Sequence, residues 1–186
     1  QHLGDPAEPL VKKGDLVRRG QKIAEAVGNG VPLHASISGK VKPIDKYPHP
    51  TLVTAPAIVI TRVDDPALAP LEFPEDLQWR QTSREERLAR IREAGVVGLG
   101  GAAFPTWRKL QLPPDVHVDT LIVNGAECEP FLTADHRLML AETEGIVEGA
   151  LIMAEIVGVR RILFGVEADK SDAVTALRDA SHHLAT

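Results

Sequence analysis

The sequence of 186 residues is poor in cysteine, in aromatic residues and in long apolar runs, and these shortages exclude several classes of protein. Its single cysteine, Cys128, excludes an internal disulfide, and one thiolate cannot hold an iron–sulfur cluster that takes about four. No stretch reaches the roughly 18 consecutive apolar residues of a membrane-spanning helix, and the first residues lack the features of a signal peptide. We therefore expect a reducing, cytoplasmic setting, with no direct membrane insertion.

An excess of basic residues is also missing. The chain has 21 Lys and Arg against 26 Asp and Glu, which gives a formal net charge of -5. Because nucleic-acid phosphates attract a basic face, we expect no nucleic acid as a partner. A composition of 44% hydrophobic and 25% charged residues is typical of one or two ordinary globular domains.

The composition changes near residue 64, which predicts two domains joined by a linker. Residues 1–63 carry short apolar stretches separated by glycines, with little helical spacing, and this pattern predicts a small all-β domain. Residues 64–82 contain prolines and acidic residues that interrupt any periodic pattern, and we interpret them as a linker. Residues 83–186 alternate helical and strand patterns, which predicts an α/β domain.

The α/β domain is predicted to begin with a helix. Ser83 and Glu86 stand in a capping-box relation, and Gly95 ends the helix. The apolar face predicted for this helix consists of Leu88, Ile91 and Ala94.

A β-α-β unit follows. Residues 121–123 and 162–164 are short apolar runs rich in branched side chains, and we predict that they are buried parallel strands. A helical stretch over 146–154, closed by Gly158, connects them. A last helix is predicted to begin at Ser171 with Val174, Leu177 and Leu184 turned inward. Since two parallel strands make an incomplete sheet, we expect the domain to continue in a longer protein.

The first domain carries a recognisable pair of motifs. Val-Lys-Lys-Gly-Asp-Leu-Val-Arg-Arg-Gly-Gln at 11–21, followed by Ala-Ser-Ile-Ser-Gly-Lys-Val at 35–41, resembles the barrel-sandwich hybrid (biotinyl/lipoyl) family. In carrier members of that family, a lysine at the tip of the intervening hairpin bears the cofactor. The tip here is Gly-Asn-Gly at 28–30, which favours a tight turn but offers no amine. We therefore predict a structural module that docks on a neighbour, and a carrier is the weaker alternative.

The first motif of the second domain is a glycine-rich loop, Gly-Leu-Gly-Gly-Ala-Ala-Phe-Pro-Thr-Trp-Arg-Lys at 98–109. Gly98, Gly100 and Gly101 let backbone N–H groups approach an anion closely, and Lys109 supplies a positive charge. This combination predicts a phosphate-bearing ligand. The ordinary Rossmann fingerprint requires a preceding strand, and only two residues separate this loop from a helix, so we reject that interpretation. A tight loop without a ligand remains the alternative.

The second motif, Asn-Gly-Ala-Glu-Cys-Glu-Pro at 124–130, follows the first predicted strand directly. Ligands of open α/β sheets bind at the carboxyl ends of strands. Asn124 offers an amide donor and acceptor, while Glu127 and Glu129 can accept from ribityl or ribose hydroxyls. The alternative is a polar turn. We expect Cys128 to be buried and inert, as most free cysteines are.

The two motifs, with Leu-Thr-Ala-Asp-His-Arg-Leu-Met at 132–139, resemble the C subunit of the Rnf electron transport complex over nearly the whole chain. That complex is an ion-translocating NADH:ferredoxin oxidoreductase. A more distant resemblance is to the flavin-bearing, NADH-oxidising subunit of respiratory complex I. Ala103 departs from both, because it stands where a third glycine is usual. Ala126 fits the Rnf pattern and replaces an aspartate usual in the complex I relative.

The resemblance implies that the cofactor is FMN and the substrate NADH, with hydride passing from nicotinamide C4 to flavin N5. It assigns the flavin phosphate to Gly98, Gly100, Gly101 and Lys109, the ribityl chain and ring edge to Asn124 and Glu127, the nicotinamide wall to Phe104 and the NADH ribose to Glu129. No residue of the chain is expected to act as a general acid or base or to bind a metal. Electrons would leave toward 4Fe-4S clusters, and the partners would be other Rnf subunits on the cytoplasmic side of the cell membrane.

The resemblance also places the segments that complete the flavin pocket, and the cluster-binding cysteines, beyond a point equivalent to residue 186. Two interpretations therefore stay open. Either the chain is the FMN-binding part of an NADH-oxidising subunit, inactive as an isolated piece, or it is a structural and docking fragment that binds no flavin on its own.

Overall fold

A computed structural model of the chain describes residues 3–49, 52–73, 78–99 and 102–184. The chain divides into two compact units, Gln1–Lys109 and Leu110–Thr186. The fold is mixed α/β, with small antiparallel sheets in the first unit and a parallel pair of strands in the second. Within these described ranges, no helix has the length and apolar character needed to cross a membrane.

The first unit begins with short strands that pair antiparallel in three small sheets, ordered β1-β3-β4, β2-β5-β8 and β6-β7. Their bounds are β1 Glu8–Pro9, β2 Leu16–Val17, β3 Lys22–Glu25, β4 Leu33–His34, β5 Gly39–Val41, β6 Asp45–His49, β7 Val53–Ala57 and β8 Ile60–Arg62. Short strands punctuated by glycine turns therefore occupy the part of the chain predicted to be all-β.

A small apolar core holds these strands together. Val17, Ile23, Ala35 and Val41 are buried against one another. A side chain at Gly39 would collide with the backbone carbonyl of Thr61, so glycine allows β5 and β8 to pair closely.

The segment that follows β8 is hydrogen-bonded to the β part over its described first half. A 3-10 turn spans Pro66–Leu68. The Arg18 guanidinium Nε donates to the carbonyl of Ala69 at 2.7 Å, and the Leu71 amide donates to the carbonyl of Arg19 at 2.9 Å. This part of the predicted linker thus packs back on the turn between β2 and β3.

Helix α1, Arg84–Glu93, begins and ends as the sequence predicts. The Glu86 amide donates to the Ser83 hydroxyl at 3.2 Å, and the Ser83 amide donates to the Glu86 carboxylate at 2.7 Å, which confirms the capping box. Gly95 follows the last turn with a φ of 71°, a left-handed conformation that favours glycine.

The apolar face of α1 is narrower than predicted. Leu88 is buried and Ile91 half-buried, but Ala94 is exposed, because it lies at the C-cap beyond the last turn that packs. Trp79, in the preceding 3-10 turn, is buried as well, and the Arg87 side chain donates to its carbonyl at 3.0 Å.

The second unit contains two strands and three helices in the described residues: β9 Thr120–Asn124, α3 Ala134–Ala141, α4 Thr143–Val157, β10 Arg161–Gly165 and α5 Ser171–Leu184. β9 and β10 pair in parallel from Thr120 opposite Arg161 to Asn124 opposite Gly165, which confirms the predicted parallel arrangement. Two helices, rather than the single predicted one, connect the strands, since the backbone leaves helical geometry at Glu142.

The helices of the second unit share one apolar core. Its buried members are Met139, Val147, Ala173, Leu177 and Ala180. On α5, alanines therefore take most of the inward positions, and Val174, predicted to point inward, is only half-buried. The predicted inward side chain of Leu184 lies outside the described part. Gly158 ends α4 with a φ of 83°, as predicted.

The prediction that both strands are buried is wrong. Ile122 and Leu163, which are register partners, are 67% and 48% exposed. Successive strand residues point to opposite faces, so only the alternate set that includes Phe164 packs against the helical core. Among the described residues of the second unit, no helix covers the other face of the sheet, where Ile122 and Leu163 lie.

Candidate functional site

The glycine-rich loop is closed at its base like a hairpin. The Gly98 amide donates to the Phe104 carbonyl at 2.9 Å, and Val97 forms an antiparallel bridge with Pro105. Pro105 is fully buried. Gly100 and Gly101, both predicted to contact a phosphate, lie outside the described residues. The described ends of the loop are therefore fixed by backbone hydrogen bonds.

Gly98 is not required by the fold of the loop itself. A Cβ atom there would meet the Phe104 carbonyl oxygen at 3.8 Å, an ordinary contact, and its φ is not in the left-handed region. The neighbouring Leu99 side chain is 95% exposed. An exposed loop that carries a glycine without steric need for it suits a ligand that approaches the backbone closely.

Ala103 adopts a left-handed backbone conformation, with a φ of 47°. A side-chain Cβ is disfavoured there, which gives a physical reason for the glycine usual at this position in the families that the chain resembles. The Ala103 carbonyl accepts a hydrogen bond from the Leu3 amide at 3.0 Å, so this strained residue is held in place from the N-terminal segment.

The remaining candidates of the first unit surround the end of the loop. Phe104 is half-buried, and Lys109 is exposed at the end of α2, Thr106–Lys109. The Lys109 amide donates to the Pro105 carbonyl at 3.3 Å, which places the residue one turn after the base of the loop. Its ammonium group is therefore accessible to an anion from solvent.

In the second unit, the chain turns sharply as it leaves β9 at Asn124. The Asn124 side-chain oxygen accepts from the Ala126 amide at 3.1 Å, which forms an Asx turn. The Gly125 amide donates to the Gly165 carbonyl at 2.8 Å, and a Cβ at Gly125 would lie 2.8 Å from the sulfur of Met139. A side chain at position 125 would require Met139 to shift, so glycine favours this close packing, and the turn leaves Asn124 exposed.

A cleft opens at the carboxyl ends of the two parallel strands, where ligands of such sheets bind. It is lined by Val123, Asn124, Gly125, Asp135, Leu138, Met139, Ile146, Phe164 and Val166. The lining is mainly apolar, with an amide and a carboxylate at the edge. Sequence reasoning missed the contribution of α3, although Asp135, Leu138 and Met139 have the three- and four-residue spacing of one helical face.

Glu127 is buried, and its carboxylate holds the start of α3. Its two oxygens accept from the backbone amides of Asp135 at 2.8 Å and His136 at 3.3 Å. Thr133, at the N-cap of α3, makes no side-chain capping bond. Glu127 therefore accepts the hydrogen bonds of the first amides of α3, which have no partner within the helix. A carboxylate also interacts favourably with the positive end of the helix. No local pattern could reveal this role, because eight residues separate Glu127 from Asp135.

Charged groups from the turn after β10 approach Glu127. The Glu127 amide donates to the Glu167 carboxylate at 3.5 Å. The Lys170 ammonium donates to Asp169 at 2.7 Å, and this pair raises the pKa of Lys170, with the charges of Glu167 and Glu127 adding to the effect. A positive charge therefore lies beside the acidic residues at this end of the sheet.

A further pair ties α3 to α5. His136 Nε2 and Asp172 Oδ1 are 2.9 Å apart. The contact with His136, together with the Ala173 amide, lowers the pKa of Asp172. The carboxylate thus stays charged to lower pH than usual.

Two residues of the turn point outward. Glu129 is exposed, as a ligand-binding residue can be. Cys128 is exposed too, so the prediction that it is buried is wrong. The reason is that Glu127 takes the inward position of the turn, and the side chain that follows it points to solvent.

The predicted site residues are divided between the two units. Gly98, Phe104 and Lys109 belong to the first, while Asn124, Glu127 and Glu129 belong to the second. Within each unit they lie close together along one loop or turn. The approach of the two groups to a single ligand stays a prediction.

Comparison with known proteins identifies the family. Residues 91–186, just over half of the chain, match the family described as the Nuo51 FMN-binding domain. The chain belongs to the Nuo51 FMN-binding family. Residues 1–65 match the barrel sandwich hybrid domain of RnfC. Along the chain, the barrel sandwich hybrid match comes first and the FMN-binding match second. Together they confirm the resemblance to the C subunits of Rnf complexes.

Several curated relatives of this Nuo51-family chain are named as C subunits. It is 44% identical over 181 residues to the C subunit of the proton-translocating ferredoxin:NAD(+) oxidoreductase complex of Clostridium ljungdahlii, covering 97% of this chain and 39% of that protein. It is 43% identical over 181 residues to the C subunit of the Na(+)-translocating ferredoxin:NAD(+) oxidoreductase complex of Acetobacterium woodii, and the match covers 95% of this chain and 40% of that protein. It is 41% identical over 180 residues to the C subunit of the ion-translocating oxidoreductase complex of Rhodobacter capsulatus, and the match covers 95% of this chain and 34% of that protein. The chain thus spans about two fifths of the length of the first two relatives.

Proposed function

We propose that this chain is the FMN-binding part of an electron transport subunit that oxidises NADH. The observation that carries the proposal is the Nuo51 FMN-binding match over residues 91–186, which contain both candidate motifs. The donor set suits FMN, because backbone amides and an ammonium fit a phosphate while an amide and an apolar cleft fit a ribityl chain and a ring.

The glycine-rich loop is proposed to hold the phosphate. Gly98, which has no side chain to screen its backbone, would let a phosphate oxygen approach closely, together with Gly100 and Gly101. The exposed Lys109 ammonium would add a charge-assisted hydrogen bond.

The turn after β9 is proposed to hold the ribityl chain and the ring edge. The Asn124 amide nitrogen can donate while its oxygen stays bonded to Ala126. Glu127 uses one lone pair on each oxygen for α3, and the remaining lone pairs are available to a ribityl hydroxyl. The apolar cleft next to Asn124 would exclude water from the ring.

NADH is proposed to bind with Phe104 as a wall of the nicotinamide site and Glu129 as an acceptor from its ribose. When bound, FMN supplies the chemistry, accepting a hydride from NADH and releasing its electrons singly. The residues of this chain bind and orient the two ligands, and none is required as a general acid or base.

The relatives support a place in an Rnf-type complex, because their names describe the C subunits of ferredoxin:NAD(+) oxidoreductases. We propose that the whole protein passes electrons to 4Fe-4S clusters and lies peripherally on the cytoplasmic side of the cell membrane, against other Rnf subunits. Residues 1–63 would be its barrel-sandwich domain, 64–82 a linker and 83–186 the start of its flavin domain.

Titration of FMN with the 186-residue chain, followed by quenching of flavin fluorescence, tests the proposal. We expect saturable quenching. Lys109→Gln should weaken binding about tenfold, as expected for the loss of a hydrogen bond to a charged group. Asn124→Asp keeps the acceptor of the Asx turn but removes the amide donor, and it should weaken binding similarly.

Lys13→Gln is the matched control, since it removes the same charge from a turn of the β part and should leave the affinity unchanged. Flavin that stays unquenched at high chain concentration would support the docking fragment instead. Quenching that neither Lys109→Gln nor Asn124→Asp weakens would contradict the assigned residues. An intact mass with attached biotin or lipoate would revive the carrier alternative.

A further inference from the structure

The hairpin tip between β3 and β4, residues 26–32, is held by other parts of the first unit. The Arg92 side chain of α1 donates from Nη2 to the Gly28 carbonyl at 3.0 Å. The Asn29 amide donates to the Asp5 carboxylate at 3.4 Å, and the Gly30 amide closes the turn on the Val27 carbonyl at 2.9 Å. The hairpin tip is therefore a docked turn.

The end of α1 also contacts the strands of this hairpin. The Lys22 ammonium pairs with Glu93 and lies 3.1 Å from Glu25, and these partners raise the pKa of Lys22. A Cβ at Gly95 would lie 2.8 Å from the Pro32 carbonyl, so only glycine allows the backbones to pack so closely. The pairing of Lys22 with Glu93 and the close packing of Gly95 on Pro32 thus fix the end of α1, next to Arg92, on the hairpin.

Arg92 makes a second contact on its other side. Its guanidinium carbon lies 4.8 Å from the centre of the Trp107 ring, within the range of a cation–π interaction. Trp107 belongs to α2, which forms the last four residues of the glycine-rich segment 98–109. Its indole Nε1 is buried, and no hydrogen-bond partner for it exists among the described residues. The ring orientation therefore depends on packing contacts such as the one with Arg92.

Trp107 is connected to the base of the loop through its neighbour. The Thr106 amide donates to the Val96 carbonyl at 3.1 Å, next to the bridge between Val97 and Pro105. Displacement of Trp107 would therefore be transmitted to the hydrogen bonds that close the loop.

We propose that Arg92 is a positioning residue: by bridging the Gly28 carbonyl and the Trp107 ring, it uses the docked hairpin tip to fix the closed base of the glycine-rich loop, residues 96–98 and 104–106. This inference rests on the proposed function for its ligand, but the bridge exists without the ligand. The β part would then act as a rigid support for the flavin site.

Hydrogen exchange of the ligand-free chain tests the bridge directly. In Arg92→Gln, the amides of residues 96–104 and 106 should exchange several-fold faster, because both contacts of the guanidinium are lost. Lys13→Gln is the matched control: it removes an exposed positive charge from a turn of the same unit and leaves both contacts of Arg92 intact. It should leave exchange in this segment unchanged.

Trp107→Leu removes the other end of the bridge and leaves the hairpin contacts of α1 intact. It should give a similar increase in exchange, and the double variant should exchange no faster than the faster single variant. FMN affinity should fall about five- to tenfold in Arg92→Gln, the size expected for loss of one hydrogen bond and one cation–π contact.

Failure of the two proposals can be told apart. If the unmodified chain binds no FMN, the proposed function fails, while the exchange measurement still decides whether Arg92 fixes the loop. Exchange at residues 96–104 and 106 that stays unchanged in Trp107→Leu or Arg92→Gln would overturn the positioning role, whatever the FMN titration gives.

Discussion

At the scale of single residues, Ala103 stands out because its backbone φ is 47°, in the left-handed region. A left-handed conformation is unfavourable by about 1–2 kcal/mol for a residue with a Cβ. Glycine relieves this strain, although it also makes the unfolded chain more flexible.

Ala103→Gly should therefore raise the free energy of unfolding by up to about 1 kcal/mol, measured by urea denaturation. Ala102→Gly is the control, because Ala102 has no positive φ and glycine there brings only added freedom of the unfolded chain. It should lower the free energy of unfolding. Equal losses for the two variants would mean that Ala103 is not strained.

Glu127 carries a second prediction at this scale. Its carboxylate is buried and accepts from two amides of α3. Glu127→Gln replaces one acceptor oxygen with a donor that faces another donor, so the free energy of unfolding should fall by about 1–3 kcal/mol. Urea denaturation measures it, with the exposed Glu129→Gln as a control that should change by less than about 0.5 kcal/mol. If Glu127→Gln and Glu129→Gln lowered the free energy of unfolding equally, Glu127 would not support α3.

At the scale of helices and strands, the contact between His136 of α3 and Asp172 of α5 makes stability depend on pH. The pKa of Asp172 is lowered in the folded protein, so its contribution is present above the unfolded value of about 3.9 and is lost as pH falls through the folded value. Asp172→Asn should therefore lose less stability than the unmodified chain as pH falls below about 4.

Unfolding midpoints in urea, measured from pH 6 to pH 2.5, check this dependence. Asp179→Asn on the same helix is the control and should keep the steeper acid loss of the unmodified chain. Curves for Asp172→Asn that follow the unmodified chain at every pH would contradict a stabilising contact. The effect should be modest, because Asp172 is exposed and solvent screens its charge.

Local signals at this scale predicted the elements well. The capping box at Ser83, the glycine ends at Gly95 and Gly158, and the parallel strands all depend on short-range patterns, and all are found. The break at Glu142 was not predicted, although Glu-Thr-Glu-Gly at 142–145 interrupts the apolar spacing between α3 and α4.

Burial was predicted less well, because it depends on which faces other elements cover. Ile122 and Leu163 have the composition of a buried strand, but the described helices cover only the opposite face. Cys128 is exposed because its neighbour Glu127 takes the inward position. Contacts between residues far apart in sequence, such as Glu127 with α3 and Arg92 with the hairpin tip, leave no local signal.

At the scale of the whole molecule, sequence motifs identified the family before any geometry, since the glycine-rich loop and the strand-end turn are long and ordered. The structure adds how each motif is held: the loop by its closed base and the turn by Gly125 and Glu127. The two motifs lie in different compact units, so the flavin assignment requires that both of them bind one ligand.

Amide chemical shifts recorded by NMR during an FMN titration of the 186-residue chain measure whether both motifs bind the same flavin. We expect amides of residues 98–109 and of residues 124–129 to shift together and to saturate with one dissociation constant. Shifts confined to one of the two segments, or two segments that saturate at different concentrations, would contradict a shared flavin site.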